Sequence, residues 1–181
     1  MERKWGLVVT VCALAGLSGC GGSSGGSTAP TAVATPTPAP TPAPPVALLT
    51  GTFTLQNGFV GFFRTVTVPS TGLLEMTVDW TLASNDLDIA LVRGACTVAM
   101  YEADTCDYVG FSVSETAKPE ILRVNVTAGT YTPMVDSYGP GDESGAVQIV
   151  FTAGASVTAA AQDGTPRTRR SKKPARFIPL S

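Results

Sequence analysis

From Gly51 onward, apolar and polar residues alternate with a period of two, the spacing of strands that bury one face and wet the other. In Leu74-Glu75-Met76-Thr77-Val78-Asp79-Trp80-Thr81 one face carries Leu, Met, Val and Trp, and the other Glu, Thr, Asp and Thr. Leu87, Ile89 and Leu91 alternate with Asp86, Asp88 and Ala90. The same rhythm sets Leu122, Val124 and Val126 against Arg123, Asn125 and Thr127, and Val147, Ile149 and Phe151 against Gln148, Val150 and Thr152. No window of ten or more residues carries the 3.6-residue spacing of an amphipathic helix. Turn chemistry separates the runs: Asn57-Gly58, Ser70-Thr71-Gly72, Ala128-Gly129 and Gly139-Pro140-Gly141. About eight short strands in roughly 100 residues predict an all-β fold, an antiparallel β-sandwich or jelly-roll-like single domain over residues 46–154. Thr97 to Tyr101 reads as a further strand. Pro133, inside the strand that starts at Gly129, cannot donate to a ladder and so predicts an edge or a bulge.

The first 45 residues follow a different pattern. Arg3 and Lys4 precede an apolar run from Trp5 to Leu17, thirteen residues long. That length suits the apolar stretch of a signal peptide and falls short of the roughly 20 residues of a spanning helix. The run closes on Leu17-Ser18-Gly19-Cys20. This closing run resembles the lipobox of bacterial lipoproteins. The resemblance implies that residues 1–19 are a signal peptide, that Cys20 is lipidated, and that the lipid anchors the chain to a membrane of the cell envelope. Gly21 stands where Asp is associated with inner-membrane retention, so the implied address is the outer membrane. Residues 20–45 are then a tether, Gly/Ser-rich at first and Thr/Ala/Pro-rich later, without a charge or an aromatic residue. Such a stretch cannot bury a core, and its Pro-rich half favours polyproline II at about 3.1 Å per residue.

Composition narrows the function. There is no histidine in 181 residues. This removes the commonest general base, the commonest metal ligand and every Ser-His or Cys-His nucleophile arrangement, and a non-catalytic protein is expected. Between Val46 and Gly154, four cations (Arg64, Arg93, Lys118, Arg123) face twelve carboxylates, a net charge of −8. An acidic body argues against nucleic acid as a partner. From residue 155 to 181, six cations stand against Asp163 alone, and this segment reads as a disordered basic tail that could bind anionic envelope polymers or fold back on the acidic body.

The run Trp80-Thr81-Leu82-Ala83-Ser84-Asn85-Asp86-Leu87-Asp88-Ile89-Ala90-Leu91 is similar to the "W…DLDlyL" stretch of the bacterial pre-peptidase C-terminal domain. Pro119-Glu120 and Ala128-Gly129-Thr130-Tyr131 through Val135 are similar to its "pE…aGtYyv.V" segment. The resemblance spans about residues 51 to 153 and no peptidase domain accompanies it. It implies a non-catalytic β-sandwich of the kind that accessory domains of secreted enzymes use, acting as a binding module for a protein or a polysaccharide. A purely structural lipoprotein without a small ligand is the alternative.

Four further features bear on chemistry. Cys12 belongs to the signal peptide and Cys20 to the lipid, which leaves Cys96 and Cys106 as an even pair outside the cytoplasm, expected to form a disulfide. Asp86 and Asp88 share one strand face, while Asp136, Asp142 and Glu143 surround the Gly139-Pro140-Gly141 turn. Oxygen ligands on loops at strand ends are what Ca²⁺ needs, and members of the resembled family sometimes carry calcium. The five acids therefore read either as calcium ligands or as charges that solvate the sheet and discourage edge pairing. Two carboxylates can also hydrolyse glycosides, but nothing in so short a body supplies a cleft. Tyr101, Tyr108, Phe111 and Tyr138, on or near loops, could stack on sugars or fill core and corner positions.

Overall fold

The structure, a computed structural model, describes residues 41, 43–157 and 174–181. The signal peptide, Cys20, the tether up to residue 40 and the basic run 167–173 lie outside the described residues. Among the described residues, ten strands and one short helix follow in chain order: β1 (Val46–Leu55), β2 (Val60–Phe62), β3 (Val66–Val68), β4 (Gly72–Trp80), β5 (Asp86–Arg93), α1 (Val98–Glu102), β6 (Asp107–Ser112), β7 (Glu120–Val126), β8 (Gly129–Tyr138), β9 (Glu143–Ala153) and β10 (Ala175–Phe177). They form two sheets, β1-β9-β4-β7 and β10-β2-β8-β5-β6, with β3 beside the first half of β8. All pairings are antiparallel except that of β10 with β2.

The alternation read from the sequence is the inward face of each strand. Leu74, Met76, Val78 and Trp80 of β4, Leu122, Val124 and Val126 of β7, and Val147, Ile149 and Phe151 of β9 line the first sheet. They meet Phe63, Val66, Val68, Leu87, Ile89, Leu91, Tyr131 and Val135 from the second. These side chains form one core. Burying each contributes roughly 1.5–3 kcal/mol before entropy is subtracted, and the all-β sandwich is the result. The Tyr131 hydroxyl donates to the Thr127 carbonyl (2.9 Å) and accepts from its N–H (3.2 Å), clamping the turn between β7 and β8. On the outer face of the first sheet, Glu75 and Arg123 stand directly opposite each other and pair at 2.6 Å.

Pro133 lies in β8, an interior strand, and not at an edge. Its carbonyl accepts from Phe63 N–H at 3.0 Å, so the side of the residue that lacks a donor faces the gap between β2 and β3, where the ladder is interrupted. Thr97 to Tyr101 is not a strand. Thr97 is the N-cap of α1, its hydroxyl accepting from Met100 N–H at 3.2 Å. Cys96 and Cys106 are joined in a disulfide, with Cα atoms 5.5 Å apart. The loop it closes lays α1 over a second apolar cluster on the outer face of the second sheet: Val60, Phe62, Val92 and Met134.

The expectation of a disordered tail over 155–181 is corrected for residues 174–181. Val60 N–H donates to the Pro174 carbonyl (3.0 Å), β10 then runs beside β2, and Ile178 N–H donates to the Phe62 carbonyl (2.8 Å). Ile178 turns inward and is buried in the core. Ser181 finally exchanges two backbone hydrogen bonds with Thr52 of β1 (2.9 and 3.1 Å). The segment therefore straps the edge of one sheet to the edge of the other, because β1 and β2 both present unpaired backbone there and apolar Ile178 gains by leaving water.

Candidate functional site

Residues directly opposite one another on antiparallel strands point to the same face, so the ladders between β6, β5 and β8 decide which candidate residues meet. Asp86 is opposite Tyr138, Asp88 opposite Asp136, and Ala90 opposite both Phe111 and Met134. Beyond a bulge in the β5–β6 ladder, Val92 is opposite Tyr108. All of these side chains stand on the outer face of the second sheet, since Leu87, Ile89 and Leu91 between them fill the core. Asp88 is 7% exposed, whereas Asp86, Asp136, Tyr138, Tyr108 and Phe111 are half-buried. The Tyr138 hydroxyl donates to Asp136 Oδ2 at 2.6 Å. Tyr108 and Phe111 stack, with ring centroids 5.0 Å apart and planes 26° from parallel. One face thus brings together a two-ring aromatic platform and three carboxylates. Tyr101, the fourth aromatic expected near a loop, is turned edge-on to Phe62 at 5.7 Å and belongs to the cover of the second apolar cluster.

Asp142 and Glu143 belong elsewhere, and the five acids expected as calcium ligands do not meet as one set. Asp142 Oδ1 accepts from Asn57 N–H at 2.9 Å. Glu143, 2% exposed, turns into the sandwich end. Its Oε1 accepts from Thr81 N–H (2.9 Å), the Thr81 hydroxyl and Ser144 N–H (2.8 Å). Its Oε2 accepts from Asn85 Nδ2 (2.8 Å), and Leu82 N–H (3.3 and 3.2 Å) spans both oxygens. Burial pushes the Glu143 carboxyl up, but the hydrogen bonds from Thr81, Asn85 and Ser144 outweigh it and hold the group below the usual value. Its lone pairs serve the fold. Among the described residues no group of three or more His, Cys, Asp or Glu side chains is arranged to hold a metal ion.

Asn85 is the residue the sequence did not single out. It is 4% exposed, donates to Glu143 and to the Gly141 carbonyl (3.1 Å), and offers its own carbonyl to Trp80 Nε1 (3.0 Å). Gly139, at φ +146°, packs so tightly on Asn85 that an added Cβ would lie 2.4 Å from Oδ1 and 2.8 Å from Cα. A knot of Trp80, Asn85, Gly139 and Glu143 therefore ties the β4–β5 turn to the β8–β9 turn, and it sets where Asp86 and Tyr138, the next residues along, stand on the outer face. In the sequence, the Ser84-Asn85-Asp86 run signals only a turn.

A shallow groove of about 580 Å³ lies at the same end of the first sheet, among Thr52, Thr54, Asp79, Ser144, Ala146 and Ser181. Its one charged lining residue, Asp79, is engaged by Lys118 Nζ at 2.7 Å, a contact that lowers the Asp79 carboxyl below its ordinary value. No protein-family model and no curated protein matches this chain.

Proposed function

We propose that this chain is a lipid-anchored protein of the cell envelope, attached through Cys20 to the outer membrane, whose β-sandwich is a non-catalytic module that binds polysaccharide. The observation that carries the binding part is the outer face of the second sheet. There Tyr108 and Phe111 stack on the same face as Asp88 and Asp136, with Phe111 one strand across and two residues along from Asp88. Sugar rings offer apolar C–H faces to aromatic rings and rim hydroxyls to carboxylates, and this face supplies both from a rigid sheet. The groove on the first sheet also has Phe53 and Trp80 in its lining, but both are buried in the core, whereas Tyr108 and Phe111 are half-buried on the outer face, which is the reason the second sheet is preferred. The anchor rests on the lipobox, and the accessory-module character on the resemblance to the pre-peptidase C-terminal domain.

The test of binding is retention on insoluble peptidoglycan, chitin and cellulose, with the Tyr108→Ala/Phe111→Ala chain beside the native one. Losing both rings should weaken retention about tenfold or more, equivalent to about 1.4 kcal/mol or above, with the unfolding transition retained. Equal retention of the two chains, or none on any of the three polymers, would sink the proposal. The anchor has its own test. Cys20→Ala should abolish incorporation of a palmitate analogue and move the protein from the membrane to the soluble fraction. Undiminished labelling would refute it.

A further inference from the structure

The outer face of the second sheet carries a further aromatic ring beside the platform. Tyr138 is half-buried, stands opposite Asp86 at the end of the β5–β8 ladder, and shares the face with Tyr108 and Phe111. Its hydroxyl reaches back along its own strand to Asp136 Oδ2 at 2.6 Å. Two residues of strand advance about 7 Å, close to the length of a tyrosine side chain, so this bond lays the ring along β8 instead of standing it off the sheet. The backbone beneath the ring is fixed as well, because Gly139 is packed against Asn85. A ring held at both ends has little freedom left to lose when a ligand stacks on it.

The registers give the spacing and the direction. Phe111 is opposite Ala90, Ala90 is opposite Met134, and Tyr138 lies four residues farther along β8. Two steps between strands, about 10 Å, and four residues along one, about 14 Å, place Phe111 and Tyr138 about 17 Å apart across the sheet. A single pyranose ring seated on Tyr108 and Phe111 falls well short of that distance. The straight path across the strands is closed, because Met134, 4% exposed, lies beneath the cover that α1 lays on the second apolar cluster. The diagonal runs instead over side chains that reach the surface. It leaves Phe111 beside the small, half-buried Ala90, passes Asp88 on β5, and ends where half-buried Asp136 and Tyr138 stand on β8.

We infer that Tyr138 is a second stacking position, and that the ligand of this face is a chain of about three or more linked pyranose rings lying diagonally across β6, β5 and β8, not a single sugar. One terminal ring of the bound stretch rests on Tyr108 and Phe111 and the other on Tyr138, each through its apolar C–H face. The rings between them turn their rim hydroxyls toward Asp88 and Asp136. The inference rests on the reading of this face as a polysaccharide site, and adds to it a direction and a minimum length.

Calorimetric titration of the full chain tests it, with chito-oligosaccharides, cello-oligosaccharides and peptidoglycan glycan fragments, each sorted by length from one ring to six. In the series that binds, affinity should rise about fivefold or more between two rings and four, as the second stacking contact is made. Tyr138→Ala should lower the affinity for four rings about fivefold and leave that for two rings unchanged, a pattern that a general loss of folding does not produce. The length series on the unaltered chain needs no variant. Affinity that levels off at two rings, with Tyr108→Ala/Phe111→Ala still weakening it, would overturn the second position and leave the platform standing. Equal weakening of short and long oligomers by Tyr138→Ala would make Tyr138 a support of the platform alone, and would overturn the second position too. Binding of no oligomer, together with no retention on the three polymers, would remove the platform and the second position at once.

Discussion

Replacing Glu143 with alanine is expected to destabilise the sandwich by about 3–5 kcal/mol, which for a domain of this size is a fall of roughly 10–20 °C in the unfolding midpoint. The side chain is 2% exposed and its two oxygens accept from Thr81, Leu82, Asn85 and Ser144. Alanine takes an acceptor from three backbone N–H groups, a hydroxyl and an amide at this end of the sandwich; Thr81 N–H keeps the Ser144 carbonyl (3.0 Å) and Asn85 Nδ2 the Gly141 carbonyl (3.1 Å), and each donor left unsatisfied costs on the order of 1–3 kcal/mol before water returns. Glutamine keeps the shape but turns an NH₂ toward donors and removes the charge that strengthens these bonds, so about 2–3 kcal/mol is expected. Glu75→Gln is the control: Glu75 pairs with Arg123 on an open strand face, and its loss should cost at most about 1 kcal/mol. The pH dependence follows from the lowered carboxyl of Glu143. A group whose folded value lies below its unfolded one contributes stability that is fully present above the unfolded value, 4.5, and is lost as pH falls through the folded value. Urea midpoints measured from pH 7 to pH 3 should therefore fall more steeply below about 4.5 for the native chain than for Glu143→Gln. Parallel curves, or a Glu143→Ala midpoint no lower than that of Glu75→Gln, would show that the knot does not hold the turns.

What was legible in the sequence and what was not divide along the range of the interactions. Leu74, Met76, Val78 and Trp80 are inward-facing because the pleat has a period of two, and that is a property of neighbours. α1 escaped because five residues are too few to show a helical period, although the Thr97 cap was a usable signal. The strap escaped for a different reason. Its apolar residues, Phe177, Ile178 and Leu180, follow a basic run that reads as solvated. The partners that order it are the edges of β1 and β2, with Thr52 lying 129 positions from Ser181. The acids show the same limit. Residue type announces oxygen chemistry, but only the register of β5 on β8 shows that Asp88 faces Asp136, and only the turn between β8 and β9 sends Glu143 inward instead. Asn85 is indistinguishable in sequence from any turn asparagine until Gly139 is packed against it.

Replacing both Cys96 and Cys106 with serine is expected to cost about 3–5 kcal/mol, and the two sources of that cost leave different traces. The bridge closes a loop over a separation of ten residues, for which the chain-entropy relation gives about 2.8 kcal/mol, acting through the unfolded state and therefore invisible in the native structure. The remainder is native. α1 has five residues, far below the length at which a helix holds itself, and it covers Val60, Phe62, Val92 and Met134 through Val98, Met100 and Tyr101. If losing the bridge lets that cover lift, roughly 1–2 kcal/mol of apolar burial goes with it. The near side of the loop has an independent hold: Gly94 N–H donates to the Thr130 carbonyl (2.8 Å) and Cys96 N–H to Thr132 Oγ1 (3.2 Å). The far side, from α1 to Cys106, depends on the bridge. In the serine variant the amides of Tyr101, Ala103 and Thr105, bonded only within the loop, should lose protection in hydrogen exchange, whereas that of Gly94 should keep it. A lowered midpoint with every one of these amides still protected would assign the whole effect to the unfolded chain. A midpoint within about 1 kcal/mol of the native one would mean that the bridge constrains neither state appreciably. Cys106 also precedes Tyr108 by two residues, at the start of the strand that carries the aromatic platform. Loosening of the far side should therefore weaken retention on polysaccharide in step with the loss of α1 protection, joining the stability of the loop to the use of the face beside it.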